Sequence, residues 1–421
     1  MPITDIVVGR EPEEIEKRGS AGCIFLGKHI VGEGEDAHLT NRILMDVSSP
    51  HVVLIVGKRG SGKSYSGAVI AEEIMKQPEE IRNNLSCIML DTMGIFWSIK
   101  NPNEKDLPLL SEWGMKPSGF PIQNFVPVGL KDIYEKSGVG FDALFSIRPD
   151  ELSGGDWITT FGISPDDPIS TLLERIIKRL GKMGNYGMDE IIGEIESDTR
   201  ADEREKMKLQ NKFLSAMNWG IFSADATPIE DFLKPGIASV LDVSLQEWNV
   251  RNLMLSILAR KIYEARLIAR REEEIAQMSG ESAKKIPMTW LIMDESHEFL
   301  PADEKTAASD ALLTLVRQGR QPGISCVFIT QRPNKLHEDV IAQSDLVIAH
   351  RLTAKSDIDA LSAIMQSYLL FDIKKFVSEL PKSKGSALVL DDNSERLYNI
   401  QVRPRQSWHA GGSPSALKEE A

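Results

Sequence analysis

Cysteine is scarce in this chain: Cys23, Cys87 and Cys326 are the only three in 421 residues, far apart, with no CxxC pair and no histidine at metal-ligand spacing. That excludes a disulfide framework and a zinc site, and a reducing cytoplasm is the expected compartment. Long apolar runs are missing too, since no stretch of roughly eighteen such residues occurs. The first segment, Met1 to Arg18, is charged throughout and has no signal-type apolar region. The chain is therefore expected to be neither secreted nor membrane-spanning. Positive charge is in deficit, with 49 Lys and Arg against 62 Asp and Glu and a formal charge of -13. That balance excludes wrapping nucleic acid over the whole outer surface, so any such contact has to be a local basic lining. With 42% hydrophobic and 26% charged residues, the remaining composition is that of an ordinary globular protein without repeats.

What is present is an alternation of apolar runs and helical patterns. Residues 20–50 mix short apolar runs with glycines and acidic turns, which reads as a short β-rich N-terminal segment over 1–50, a reduced barrel-like piece. His51 to Val56 is continuously apolar and ends at a glycine, the pattern of a strand buried on both faces of a parallel sheet. A helix over Lys63 to Lys76 follows. Further buried strands are read at Ser86 to Asp91, Ile237 to Asp242, Met288 to Met293, Ile324 to Thr330 and Asp345 to Ala349, with late strands at 386–391 and 397–403. Between the second and third lies a long excursion, about 100–235, which opens in Pro/Gly-rich loops and becomes a largely helical insertion over about 140–232. Helices are expected from about Arg251 to Glu274, around Lys305 to Gly319, and near 357–366 and 370–379. Ser279 to Lys285 reads as a mobile polar loop and 406–421 as a flexible tail. The whole is an α/β fold whose core spans 51–405, with a mostly parallel central sheet and helices on both faces.

Gly57-Lys58-Arg59-Gly60-Ser61-Gly62-Lys63-Ser64 matches G-x-x-x-x-G-K-[ST] without a gap, between a buried strand and a helix. The glycines let the backbone curl so that its N–H groups and the helix N-terminus face a β-phosphate, Tyr65 continuing the loop into the helix. Lys63 then neutralises β- and γ-oxygens, and Ser64 coordinates Mg²⁺. The expected ligands are ATP and Mg²⁺.

Phosphoryl transfer to water needs a carboxylate to hold the metal and a second group to orient or deprotonate the nucleophile. Asp294-Glu295, ending an apolar strand, supply both: Asp294 holds Mg²⁺ through water and Glu295 poises the attacking water. A helix N-cap with an acidic first turn has the same look, and the phosphate loop favours catalysis. Gln331 ends the next buried strand, where an amide senses the γ-phosphate or the attacking water, or simply begins the turn before Pro333. His297 lacks a metal-ligand set and reads as structural or as a link to a neighbouring subunit.

The phosphate loop, Leu-Ile-Met-Asp-Glu-Ser-His-Glu-Phe-Leu-Pro (291–301), Arg-Gln-Gly-Arg-Gln-Pro-Gly (317–323) and Ile-Thr-Gln-Arg-Pro (329–333) together resemble the HerA/FtsK superfamily of P-loop ATPases, most nearly HerA-like DNA translocases. The resemblance spans roughly 50–405 and implies a RecA-like core of the ASCE class, a homo-hexameric ring with ATP sites between subunits, and DNA threaded through a central pore. It also implies helicase or translocase work in DNA end processing beside a nuclease such as NurA, or in phage defence with another effector, and no membrane. In its light Arg320 is the first candidate for an arginine reaching a γ-phosphate across subunits, with Arg317 and Arg351 behind it. Two departures stand out. Only about 50 residues precede the phosphate loop, where the family carries a complete β-barrel, and the turn Asp91 to Ile95 lacks the glutamate expected near Ile95.

For DNA contact, Lys178, Arg179 and Lys182 before Gly184-Asn-Tyr-Gly187 form a pore-loop candidate. Arg260, Lys261, Arg266, Arg270 and Arg271 read as the solvated face of an amphipathic helix. An assembly scaffold indifferent to DNA and a protein-secretion motor remain alternatives to the DNA motor.

Overall fold

A computed structural model of the chain describes residues 5–32, 36–280, 286–352, 355–365, 380–381 and 383–412. Among these lie thirteen strands: β1 (Ile6–Val8), β2 (Cys23–Val31), β3 (His38–Asp46), β4 (Val52–Val56), β5 (Leu85–Asp91), β6 (Ile122–Pro127), β7 (Ala143–Phe145), β8 (Ala238–Asp242), β9 (Met288–Met293), β10 (Ile324–Thr330), β11 (Leu346–His350), β12 (Ser386–Asp391) and β13 (Arg396–Val402). They form one sheet in the order β1-β3-β2-β13-β12-β11-β4-β10-β9-β5-β8-β6-β7. From β11 to β7 every neighbouring pair is parallel, whereas β12, β13, β2 and β3 pair antiparallel. The β-rich N-terminal segment thus supplies strands that continue the central sheet by way of β2 on β13.

The continuous apolar runs are explained by two cores, one on each face. In β4, Val53 and Ile55 point into one core and Leu54 and Val56 into the other. The first core is closed by α1 (Lys63–Met75) through Ala68, Val69, Ile70 and Ile74. Covering the second are α2 (Gly154–Thr160), α3 (Pro168–Met183), α4 (Met188–Ser197), α5 (Glu203–Met217), α6 (Trp248–Ser279) and α7 (Ser309–Gln318). A strand buried on both faces tolerates a small hydrogen-bonded polar side chain but no charge along its length, which drives charged groups to its ends. No described helix is long and apolar enough to cross a membrane.

Several expectations need correction. The excursion holds two parallel strands, β6 and β7, ahead of the helices that start at Gly154; Pro127 and the polar Gln123 and Asn124 mask β6 in the sequence, but Asn124 is buried, its backbone N–H donating to Asp142 and its side-chain Nδ2 to Gly140 O, with Oδ1 left unpartnered. α6 is longer than expected, and Arg266 on it is not solvated: it is fully buried, donating to Pro322 O and Ile286 O and pairing with Glu273. Arg260 and Lys261 are tied to Asp156 and Glu151 of the insertion. In the pore-loop candidate Tyr186 is buried and Arg179 pairs with Glu194 and Asp198, so the loop offers Lys178 and Lys182 without a free aromatic. The expected helix at 370–379, most of the Ser279 to Lys285 loop, and the tail beyond 412 fall outside the described residues.

The start of the supposed tail is pinned down. Glu72, on α1, is fully buried and accepts from Arg403 Nη2 (2.8 Å), Arg405 Nε (3.4 Å), Gln406 N (3.2 Å), Ser407 N (3.1 Å) and Ser407 Oγ (2.5 Å). Both arginines are themselves fully buried. A carboxylate with this many donors on two cations is the arrangement that makes a buried charge tolerable.

A second buried charge group joins the N-terminal strands to the core. His51 lies 2.6 Å from Asp345 by Nδ1 and 3.4 Å from Asp46 by Nε2, and Asp46 also pairs with Arg10 at 2.7 Å. Burial alone lowers the pKa of this imidazole, but the bonds to Asp345 and Asp46 outweigh it and raise it to about 9. Because the folded pKa exceeds the unfolded value near 6.5, this contribution is complete below about pH 6.5 and disappears as pH climbs through about 9. Thermal midpoints should therefore fall between pH 7 and 10 for the wild type and fall less for His51→Phe; parallel curves would show that His51 is not the titrating group.

Candidate functional site

β4 delivers the chain into a loop that only glycine allows at several points. A Cβ at Gly57 would sit 2.5 Å from Ser61 Oγ and 2.7 Å from His350 Cβ, and Gly60 and Gly62 have φ of 74° and 114°. Gly62 is the N-cap of α1 and makes no side-chain cap, so the first-turn N–H groups face the loop. The loop is moored by Lys58 N donating to Arg351 O (2.9 Å) and Gly385 N to Ser61 O (3.4 Å). Arg59 and Gly60 are exposed at its tip, and Ser64 is half-buried. Tyr65 turns the other way: its hydroxyl accepts from Arg405 N (2.5 Å) and its ring meets His409 edge-on.

Lys63 is buried, with Nζ donating to Lys58 O at 3.2 Å, and among the described residues it forms no ion pair. Burial lowers its pKa, opposed by the charges of Glu295 and Asp294. Asp294 follows β9 and is almost completely buried. Burial raises its pKa, against the Ser64 hydroxyl, the Glu295 N–H and Lys63. The register Met293 to Leu90 and Asp91 to Asp242 sets Asp294, Asp91 and Asp242 in a row along the same sheet edge. Asp91 accepts from Phe96 N and Met93 N, yet burial and then Asp242 push its pKa up to about 7.

Glu295 carries an unusual backbone, φ 49° and ψ 42°, the left-handed region that costs a non-glycine residue roughly 1–2 kcal/mol. Ser296 holds it there, its hydroxyl donating to Met293 O (2.8 Å) and accepting from Ile329 N (3.0 Å), which latches β9 to β10. Gln331 Nε2 donates to Glu295 Oε1 at 3.3 Å. Glu295 Oε2 is buried without a hydrogen bond, 3.5 Å from His297 Nδ1, and His297 in turn meets Thr330 Oγ1 at 3.1 Å. Burial and then Asp294 raise the Glu295 pKa to about 7, with Lys63 opposing.

Lys63, Ser64, Asp294, Glu295 and Gln331 are thus brought to one place, as their positions at the ends of β4, β9 and β10 require. Arg320 is not. It is exposed ahead of β10, at the opposite edge of the sheet, about 20 Å of strand away from Gln331. Arg317 pairs with Asp339, and Arg351 gives its carbonyl to the loop. Sequence reasoning missed Ser296, His350 and Arg332, an exposed cation whose charge reaches Glu295 and His297. Arg332, beside Gln331, and Ser296, beside Glu295, carried a positional hint. The donor set suits a nucleoside triphosphate with a hard divalent metal: an unpaired buried ammonium, the hydroxyl of Ser64, orphaned oxygens at Ser61 Oγ and Glu295 Oε2, and a buried aspartate.

Because the left-handed backbone at position 295 is suited to glycine, Glu295→Gly should exceed Glu295→Ala in stability by about 1 kcal/mol, read from denaturant midpoints. Equal midpoints would show that the backbone relaxes and stores no strain.

Comparison with known proteins agrees with this geometry. The family model of the HerA helicase central domain matches residues 26–262, more than half the chain. The DNA double-strand break repair helicase HerA of Pyrococcus furiosus is 23% identical over 394 residues, covering 86% of this chain and 68% of the relative. The protein of the same name from Sulfurisphaera tokodaii is 22% identical over 414 residues, covering 97% and 74%. Among solved structures, VirB4 of Thermoanaerobacter pseudethanolicus superposes with a TM-score of 0.59 at 14% identity, covering 92% of this chain and 97% of that one. The bacterial conjugative coupling protein TrwBdeltaN70 gives 0.53 at 12% identity, covering 92% and 96%. These last two likenesses establish the α/β fold. From the family match together with the strand-edge site, the chain belongs to the HerA helicase family and is a P-loop ATPase.

Proposed function

We propose that this chain is the subunit of a hexameric motor that hydrolyses Mg-ATP between subunits and moves along duplex DNA threaded through the ring. The observation that supports it best is the convergence of Lys63, Asp294, Glu295 and Gln331 at one strand edge, while Arg320 stands exposed at the other edge, free to serve a neighbour. Backbone N–H groups of the loop and of α1 cradle the β-phosphate, and Lys63 neutralises β- and γ-oxygens. Ser64, and Asp294 by way of a water, would hold the metal. Magnesium would supply neutralisation of the triphosphate's negative charge. Glu295 orients the attacking water and takes its proton, a task suited to a carboxylate whose pKa sits near 7. Gln331 fixes the glutamate and, on its free side, the water. Arg320 of the adjacent subunit stabilises charge on the transferring phosphoryl.

The relatives are named DNA double-strand break repair helicases, and in keeping with that name the motor is assigned to DNA end processing. A nuclease or defence effector as its partner is part of the same proposal. Three free cysteines, two of them buried, suit a reducing compartment such as the cytoplasm. A net charge of -13 leaves DNA contact to a few cations per subunit, Lys178 and Lys182 among them, repeated around the ring.

ATP turnover should rise several-fold with duplex DNA and lose that stimulation as salt increases. In the same assay Glu295→Gln should bind ATP yet turn over about 100-fold slower or worse, and Lys63→Ala should not bind; DNA-indifferent turnover would reject the motor. Mixing Arg320→Ala with wild type tests the shared site. Activity should drop more steeply than the fraction of mutant, and strictly proportional loss would place Arg320 outside catalysis.

A further inference from the structure

His350 lies beneath the phosphate loop and has no part in the mechanism above. It ends β11, fully buried, with Ala349 paired to Val56 on one side and its own backbone paired to Ala387 of β12 on the other. Its ring runs between the two halves of the loop. A Cβ at Gly57 would come within 2.7 Å of His350 Cβ, and a Cβ at Gly62 within 3.5 Å of His350 Cε1. Both flanking glycines of the motif therefore rest on this one side chain.

The ring is also bonded at both nitrogens. Nδ1 faces Ser386 O at 3.1 Å, and a carbonyl only accepts, so Nδ1 carries the proton. Nε2 then accepts from Ser66 Oγ, 2.9 Å away and fully buried in the first turn of α1. Ser66 N in turn donates to Gly62 O at 2.9 Å. This makes a chain of bonds from β12 through His350 and Ser66 to the N-cap of the helix whose N–H groups face the loop. Burial keeps the ring neutral against the bond to Ser386 O, helped by the neighbouring cation of Lys63; its pKa is lowered to about 4.

We propose that His350 is a positioning residue of the nucleotide site, holding the phosphate loop in its phosphate-binding curl through the Ser66 hydroxyl. The inference rests on the reading of this loop as the ATP site. Packing against Gly57 fixes the loop's entry, and the bond to Ser66 fixes the rotation of the first helical turn. Together they fix the direction of the N–H groups. A residue of the same bulk without nitrogens fills the space and does not set that rotation.

The test compares wild type, Ser66→Ala, His350→Phe and His350→Gln by Mg-ATP calorimetry, steady-state turnover and thermal unfolding. Losing one hydrogen bond should raise the ATP Kd and KM about five-fold in Ser66→Ala and at least as much in His350→Phe, with kcat altered less than about two-fold. His350→Gln, whose amide oxygen is able to accept from Ser66, should recover part of the loss. Wild-type Kd and KM in Ser66→Ala overturn the inference, whatever happens to the melting temperature, because a purely structural role changes stability alone. If His350→Phe does not fold, Ser66→Ala decides the matter, since it removes one hydroxyl. A wild-type protein that fails to bind ATP, and so matches Lys63→Ala, overturns the reading of the site itself.

Discussion

A parallel strand packed on both faces leaves charged and long polar groups no outlet except its ends. β4, β9, β10 and β5 are such strands, with every residue of β5 and β10 buried. Their shared direction collects the loop after Val56, Asp294 after Met293, Gln331 after Thr330 and Asp91 at the close of β5 along a single edge. The site is the consequence of that crowding. It needs no special device to bring its parts together, since four neighbouring strands in register already place them along one end of the sheet.

Crowding charges in a buried place has an electrostatic cost, and the structure meets it differently at each point. Around Lys63 the charges are left partly uncompensated: the ammonium has a carbonyl for company, and Asp294, Glu295 and Asp91 are all displaced toward neutrality by burial. That is the condition of a site prepared for a triphosphate and a metal. Behind it, Glu72 is fully paired with Arg403 and Arg405, and His51 with Asp345 and Asp46. These closed groups fasten the C-terminal segment and the N-terminal strands to the core. The backbone strain at Glu295 belongs with the open charges, both being tolerated where chemistry is done.

Much of the site was legible in the sequence because it is local. Gly57 to Ser64 is contiguous, and its strand and helix flank it directly; Asp294 and Gln331 each sit one step past a buried strand, and Glu295 one step further. Other features were illegible because their partners are hundreds of residues away. Nothing around Glu72 announces Arg403, and nothing around Ser66 announces His350. Arg266 looked like a solvated helix residue until α6 was seen to pack under Pro322 and Ile286. Strand β6 was hidden by Pro127, Gln123 and Asn124; the Gln123 amide oxygen meets Lys234 and the Asn124 N–H meets Asp142 only once the excursion folds.

By itself, then, the amino-acid order determined the strand-loop-helix that holds phosphate, the acid pair, the α/β class and the kinship to HerA, because each depends on residues adjacent in the chain and on hydrophobic periodicity. Tertiary structure alone decided which strands are neighbours, that the N-terminal strands join the central sheet, that residues 403–409 strap α1, and that Arg320 faces away from its own chain's site. Those outcomes turn on register and burial between distant segments. A linear pattern records a residue's polarity but not the partner that will satisfy it.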